Sequence, residues 1–187
     1  MPSQPSEVAL ALADGTVMLK TDRGVFSGDR VDPGTMELLR AVPPPPARGQ
    51  LLDLGCGYGP IAVAMARRAS GATIWAVDSN QRAVNLTGEN AGRLGLTNVR
   101  AVRPDDVPAG TCFAAIWSNP PIRVGKAALH GLLEQWLGRL TPDGRAWLVV
   151  HKHLGGDSLA AWLSEQGHHT TRIGSRKGYR LLEVHPR

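Results

Sequence analysis

Cysteine, aromatic residues and long apolar runs are all scarce in this chain of 187 residues. Two cysteines, Cys56 and Cys112, do not form the pattern of a disulfide framework or a zinc site, so we expect reduced thiols. No uninterrupted apolar run reaches the roughly 18 residues of a membrane span, and the N-terminus lacks the basic start and apolar centre of a signal peptide. These absences favour a cytoplasmic protein with no membrane partner.

Basic residues are in excess, with a formal net charge of +5 and a pI near 9.8. Surplus Lys and Arg attract phosphates over long range, which favours a polyanionic partner such as nucleic acid. The hydrophobic content of 42% and the chain length suit one domain. We predict a domain over residues 50–187 and a packed extension over residues 1–49.

Short apolar runs alternate with segments of helical period from residue 51 onward, and seven runs read as strands. This alternation predicts an α/β fold, a doubly wound and mainly parallel seven-stranded sheet. The chain closes on a predicted antiparallel hairpin around Lys177, and it opens on a hairpin around Asp14. Asp32 and Pro33 predict the start of a short helix, which residues 43–46, all proline, end.

A glycine-rich loop separates the first predicted strand of the sheet from a helix. Its residues include Gly55, Cys56, Gly57 and Gly59. Glycine there lets the backbone approach a ligand, so we expect a nucleotide-like cofactor. The spacing is G-x-G-x-G, whereas dinucleotide loops usually follow G-x-G-x-x-G. Asp53, two residues before the loop, suits a cofactor with a cationic methionine end. S-adenosylmethionine is therefore the expected cofactor, with NAD as the alternative.

Acidic residues follow the next two strands. Asp78 ends the second strand, where its carboxylate can accept hydrogen bonds from both ribose hydroxyls. The alternative is a helix cap, and both roles can be shared among Asp78, Ser79 and Asn80. After the third strand, Asp105 or Asp106 can accept from the adenine amino group.

A rigid polar turn, Asn119-Pro120-Pro121, follows the fourth predicted strand. Open α/β sheets bind ligands at this edge, and the two prolines remove two backbone donors. The turn therefore offers acceptors, the Asn119 side-chain oxygen and the Pro120 carbonyl, which suit an amino group as the donor. Held by both, an aromatic amine would direct its lone pair at a sulfonium methyl group, so catalysis would be mainly positioning.

Three segments together carry a family resemblance: LDLGCGYGPIAVAMA, AVDSNQRAVNLTGENA and SNPPIRVGK. They resemble the class I S-adenosylmethionine-dependent methyltransferases, and more narrowly the methyltransferase small domain of bacterial 16S ribosomal RNA guanine-N2 methyltransferases. GVFSGDRVDPGTMELL and SRKGYRLLEV resemble the segments that precede and close that domain. The resemblance implies a Rossmann-like methyltransferase fold in which the glycine loop, Asp78 and Asp105 surround the cofactor. It also implies that Phe26 and Ser27 help to close the pocket.

The chain departs from the family pattern at two points. Many relatives have an aromatic residue after Asn-Pro-Pro to stack on the base, whereas this chain has Ile122, with Phe26 as a substitute. The long ribosomal RNA enzymes also carry a second, degenerate domain of the same fold. We expect one such domain in this sequence, so substrate capture would rest on that domain alone or on a dimer. The expected oligomeric state is therefore a monomer or a homodimer.

Basic side chains on the predicted loops are expected to contact substrate phosphate: Arg123, Lys126, Lys152 and Lys177. His151 and His153 have no third ligand at a convincing spacing, so no metal is expected. The favoured function is N-methylation of an exocyclic amino group, guanine N2 in ribosomal RNA. Two alternatives are methylation of a protein glutamine amide and an RNA-binding module that is catalytically idle.

Overall fold

The chain begins with a β-hairpin and a short helix that pack on the main sheet. This computed structural model describes residues 4–25 and 30–187, apart from the side chain of Arg123. The hairpin and helix are β1 (Ser6–Leu12), β2 (Gly15–Thr21) and α1 (Pro33–Ala41). The Asp32 carboxylate caps α1 by accepting from the Thr35 N–H at 3.0 Å, as the sequence predicts.

The main sheet has seven strands among the described residues, in the spatial order β5-β4-β3-β6-β7-β9-β8. They are β3 (Arg48–Leu54), β4 (Gly71–Val77), β5 (Val99–Val102), β6 (Phe113–Ser118), β7 (Leu140–His151), β8 (Thr170–Arg176) and β9 (Tyr179–Val184). The first five pair in parallel, and β9 pairs antiparallel with both β7 and β8. The predicted fold class is therefore confirmed, including both hairpins.

In the described part of the chain, four more helices connect the strands: α2 (Pro60–Arg68), α3 (Gln81–Arg93), α4 (Lys126–Leu137) and α5 (Gly156–Glu165). Neighbouring strand residues face opposite sides, so Leu51 packs with the hairpin, α1 and α2, whereas Leu52 packs with α4 and α5. Burial on both faces explains why the strands read as continuous apolar runs. None of the described helices has the length and hydropathy of a membrane-spanning segment.

The strand order reverses direction at β3, because the chain goes first to β4 and β5 on one side and then to β6 and β7 on the other. This switch point opens a crevice at the carboxyl ends of β3 and β6, where open α/β sheets bind ligands. The glycine loop follows β3 and Asn119 follows β6, so the topology brings both predicted motifs to one edge.

Asn90 ties the N-terminal hairpin to the sheet from α3. Its Oδ1 accepts from the Lys20 N–H at 2.8 Å, and its Nδ2 donates to the carbonyls of Lys20 and Tyr58, both at 2.8 Å. The side chain is 1% exposed, so the three bonds are shielded from water. One amide thus joins β2 and the glycine loop.

The division of the chain into an extension over residues 1–49 and a domain over residues 50–187 stays a prediction.

Asn90→Ala is expected to lower the free energy of unfolding by about 3 kcal/mol, because it leaves buried backbone groups without partners. Urea denaturation measures the change. Asn85→Ala is the matched control, since Asn85 lies exposed on the same helix, and we expect it to stay within about 0.5 kcal/mol of the parent chain. Equal values for the two variants would contradict the role assigned to Asn90.

Candidate active site

A cavity of about 520 Å³ lies at the carboxyl edge of the sheet. Its walls come from the glycine loop, the end of β4, the turn after β6, the first turn of α1 and the ends of β7 and β9. This volume falls in the usual range for sites of small ligands. The sheet edge, the helix start and the terminal hairpin therefore build one site.

The glycine loop is held close to the neighbouring strand. The N–H groups of Gly55 and Cys56 both donate to the Val77 carbonyl, at 2.8 and 3.0 Å. Gly59 has a φ of 96°, and a Cβ there would lie 3.0 Å from Thr87 Cγ2. A larger residue at position 59 would strain the backbone and push α3 away. The loop backbone thereby forms the cavity floor.

Asp78 connects this loop to the start of α3. Its Oδ2 accepts from the Gly57 N–H at 3.0 Å, and its Oδ1 accepts from the Asn80 N–H at 2.8 Å. The helix cap itself is Asn80, whose Oδ1 accepts from the Arg82 N–H at 3.0 Å. Asp78 and Ser79 line the cavity. Each carboxylate oxygen of Asp78 retains acceptor capacity for a ligand hydroxyl.

Asp53 lies beneath the loop and does not line the cavity. It is fully buried, and its Oδ2 accepts from the Ala62 N–H of α2 at 2.8 Å, whereas its Oδ1 has no partner among the described residues. Burial, and next the charge of Asp78, raise the pKa of Asp53 to about 8. Asp53 supports the loop from below through its bond to α2. Because it does not line the cavity, it would influence the cofactor only through the position of the loop.

Cys56 lines the cavity as a buried thiol. Burial, reinforced by Asp53, raises its pKa well above the ordinary value. Its sulfur accepts from the Thr87 hydroxyl at 3.5 Å. Cys56 is therefore a neutral wall residue and has no nucleophilic role here.

Charges on the described cavity wall are of one sign. Asp32 and Asp78 are its carboxylates, and no Lys or Arg contributes to it. A pyrophosphate is usually held by cationic side chains and a helix N-terminus, and this wall offers the N-terminus of α2 but two carboxylates in place of cations. The walls instead fit S-adenosylmethionine, whose sulfonium and ammonium groups are cationic and whose ribose can donate to Asp78. Ile61, Val77 and Pro104 supply apolar surface for a base.

Asn119 is oriented by the first turn of α1. Its Nδ2 donates to Asp32 Oδ2 at 2.8 Å and to Thr35 Oγ1 at 3.1 Å. Both amide hydrogens are therefore used, and no described residue donates to Oδ1. The Asn119 side chain presents a hydrogen-bond acceptor to the cavity.

The two prolines add a second acceptor. The Pro120 carbonyl accepts from the Ile122 N–H at 2.9 Å and keeps one lone pair. Ser118, the residue before Asn119, is itself held in place, because its hydroxyl donates to the Leu54 carbonyl at 2.7 Å. Pro120, Pro121 and Ile122 all line the cavity.

Sequence reasoning missed several wall residues. Asp32 was expected only as a helix cap, and Thr35, Tyr58 and Tyr179 were not expected at the site. Tyr179 lies edge-on to His151 at 5.0 Å, and burial, followed by the Asp32 charge, raises its pKa. A half-buried amide NH2 such as that of Asn119 needs two acceptors. That requirement could have pointed to Asp32 and Thr35.

Other predicted site residues lie around the cavity. Asp105 is exposed, one residue after the wall residue Pro104. Lys126 is exposed at the start of α4. Lys152 and Lys177 are neighbours, because the Lys152 N–H donates to the Gly178 carbonyl at 2.8 Å.

Lys177 is not free of partners, since its Nζ lies 3.3 Å from the buried carboxylate of Glu37. Phe26 and Ser27 fall outside the described residues, as does the side chain of Arg123. Within the described part of the chain, no group of three His, Cys, Asp or Glu residues is arranged to hold a metal ion.

The raised pKa of Asp53 predicts a pH-dependent stability. Between its ordinary value of 3.8 and about 8, the folded chain holds a proton that the unfolded chain releases, so this group's contribution falls as pH rises. Asp53→Asn does not titrate there. We expect the stability of Asp53→Asn relative to the parent chain to increase from about pH 5 to about pH 8. Urea denaturation at several pH values measures this difference, and a flat difference would contradict it.

Comparison with known proteins places the chain in a family. The methyltransferase small domain model matches residues 16–183. The uncharacterized protein YbxB of Bacillus subtilis (strain 168) is 37% identical over 167 residues, which cover 88% of this chain and 83% of YbxB. Ribosomal RNA small subunit methyltransferase C of Pseudomonas aeruginosa (strain LESB58) is 33% identical over 165 residues, 82% of this chain and 49% of that enzyme.

A solved structure extends the likeness to the fold. It is the T. thermophilus 16S rRNA N2 methyltransferase RsmC in complex with AdoMet and guanosine, with a TM-score of 0.85 and 27% identity. The match covers 100% of this chain and 52% of RsmC, so the chain spans about half the length of the ribosomal RNA methyltransferases that it matches. The chain belongs to the methyltransferase small domain family, the S-adenosylmethionine-dependent group whose motifs its sequence resembles.

Proposed function

We propose that this chain transfers a methyl group from S-adenosylmethionine to an exocyclic amino group, the N2 amine of guanine in ribosomal RNA. The observation that carries the proposal is the orientation of Asn119. Asp32 and Thr35 accept both of its amide hydrogens, so its Oδ1 can act only as an acceptor. A primary amine is the substrate group that offers donors to such a site.

Two acceptors supply the positioning. Asn119 Oδ1 and the remaining lone pair of the Pro120 carbonyl would each accept one hydrogen of the amine. The amine lone pair of a base is delocalised into the ring, which makes it a weak nucleophile. Acceptors outside the ring plane favour a more tetrahedral nitrogen and free that lone pair for attack. Positioning of this kind replaces a strong base.

When bound, the cofactor supplies an electrophilic methyl group on a sulfonium. The amine gains positive charge as it attacks, and the Asp32 carboxylate stabilises that charge through its hydrogen bond to the Asn119 amide. An aromatic ammonium is a strong acid, so its proton passes to water. The apolar wall formed by Ile61, Val77 and Trp136 limits the water near the reacting atoms.

Ribosomal RNA as the acceptor is supported by the relatives and by charge. Two of the matched proteins are ribosomal RNA methyltransferases, and one of them binds guanosine. Lys126, at the start of α4, and Lys152, in the turn after β7, are exposed and do not line the acidic cavity. This separation would place cations at the phosphate backbone and carboxylates at the cofactor.

The direct test is transfer of a tritiated methyl group to small ribosomal subunits and their RNA from a strain that lacks this gene. We expect label in RNA that nucleoside mass spectrometry identifies as N2-methylguanosine, with a KM that rises steeply with salt. In the same assay, Asn119→Ala should lower kcat by about 10²–10³-fold, since one oriented acceptor is lost. Its affinity for S-adenosylmethionine, measured by calorimetry, should stay within about twofold.

Asn85→Ala on the surface of α3 is the control, and it should keep parental turnover. Near-normal turnover by Asn119→Ala would overturn the mechanism. Label in a protein glutamine instead of RNA would favour the second candidate, because an amide NH2 also offers two hydrogens to Asn119. Cofactor binding without transfer to any acceptor would indicate an idle RNA-binding module.

Asp78→Asn should show the opposite pattern to Asn119→Ala. Loss of the carboxylate charge removes an acceptor for the ribose hydroxyls and weakens the bond to the Gly57 N–H. We expect a fall in affinity for S-adenosylmethionine of about tenfold to a hundredfold, measured by calorimetry. Asp143→Asn, at an exposed position near the start of β7, should bind normally.

A further inference from the structure

Two loops at the mouth of the cavity share the same order of elements. After β6, the turn Ile122–Val124 is followed by Gly125, and after β7, the turn Lys152–Leu154 is followed by Gly155. Both glycines have a φ of 97°, and each precedes a helix. Since β6 and β7 are parallel neighbours, the loops emerge side by side at the carboxyl edge.

Each turn ends in an exposed aliphatic side chain. Val124 is 54% exposed and Leu154 is 51% exposed, and both line the cavity. The described chain has two other exposed large hydrophobic residues, Met18 and Ile173, and neither lines this cavity. Side chains this exposed contribute little to the core, so their apolar surface is available to a ligand.

Backbone hydrogen bonds anchor both loops. The Val124 N–H donates to the Pro121 carbonyl at 3.2 Å, which joins Val124 to the Asn-Pro-Pro turn. The other loop is fixed at its first residue, where the Lys152 N–H donates to the Gly178 carbonyl of the terminal hairpin at 2.8 Å. Both loops are therefore anchored by backbone hydrogen bonds within the chain itself.

The place of these side chains indicates what they hold. Asp78 and the glycine loop line one part of the cavity, whereas Val124 follows Asn119 by five residues on the same loop. An amine gripped by Asn119 is attached to a planar ring, and the two faces of that ring are its least polar surface. Aliphatic side chains that contact a ring face bury apolar area of the base, so an aromatic side chain is not required for this contact.

We propose that Val124 and Leu154 form an aliphatic clamp that holds the face of the guanine base while Asn119 grips its amino group. The clamp rests on the proposed function. It supplies the contact that an aromatic residue after Asn-Pro-Pro would make, where this chain has Ile122.

The test uses the fluorescence of 2-aminopurine riboside, a planar purine nucleoside with an amino group at the guanine N2 position. The probe is titrated into the full chain with saturating S-adenosylhomocysteine, so binding is measured without methyl transfer. We expect Val124→Ser with Leu154→Ser to weaken binding about tenfold. The KM for ribosomal RNA should rise by a similar factor, and calorimetry should show unchanged affinity for S-adenosylmethionine.

Met18→Ser with Ile173→Ser is the matched control, because these side chains are equally exposed and lie outside the cavity. It should bind the riboside as the parent chain does. The clamp is wrong if both double variants bind equally, or if the parent chain fails to bind the riboside. A parent chain that binds the riboside through Val124 and Leu154 but methylates no RNA would retain the clamp and refute the proposed function.

Discussion

Both hydrogens of the Asn119 amide are accepted by the first turn of α1, at Asp32 and Thr35, and the chemistry of the site depends on this contact. Without these acceptors the amide could rotate and present its NH2 to the cavity, where it would repel an amine. The α1 helix precedes the first strand of the main sheet, so the segment before the sheet completes the site. Asn90 anchors the adjoining hairpin to the glycine loop. Folding of the N-terminal segment and the orientation of the Asn119 amide are therefore coupled.

Negative and positive charges lie on different surfaces of the site. Asp78 lies in the cavity wall, where a cationic cofactor would be held, and Asp53 lies below the floor without contacting the cavity. A pKa of about 8 keeps Asp53 mostly protonated at neutral pH, so the buried carboxyl adds little negative charge of its own. Lys126 and Lys152 are exposed outside the cavity. Under the proposed function, this distribution would attract an RNA phosphate to the rim and repel it from the interior.

The sheet and the two motifs could be predicted because they depend on local patterns: apolar runs, glycine spacing and a polar turn after a strand. The contact between Asn119 and Asp32 could not, since the residues are 87 positions apart and Asp32 already had a local role as a helix cap. The start of β7 also depends on tertiary structure. Pro142, Asp143 and Gly144 are residue types typical of turns, yet β7 begins at Leu140 and shifts register opposite Phe113 and Ala115.

The strand–turn–helix unit occurs after both β6 and β7, which explains why Val124 and Leu154 both lie at the mouth of the cavity. Parallel neighbours end at the same edge, and a glycine with positive φ after each turn precedes a helix. Contacts with aliphatic groups are weaker and less directional than aromatic stacking. In the proposed complex, a base held in this way would be discriminated mainly at its edge, where Asn119 and the Pro120 carbonyl would accept the amine hydrogens. The proposed specificity would therefore depend more on the amino group than on the ring that carries it.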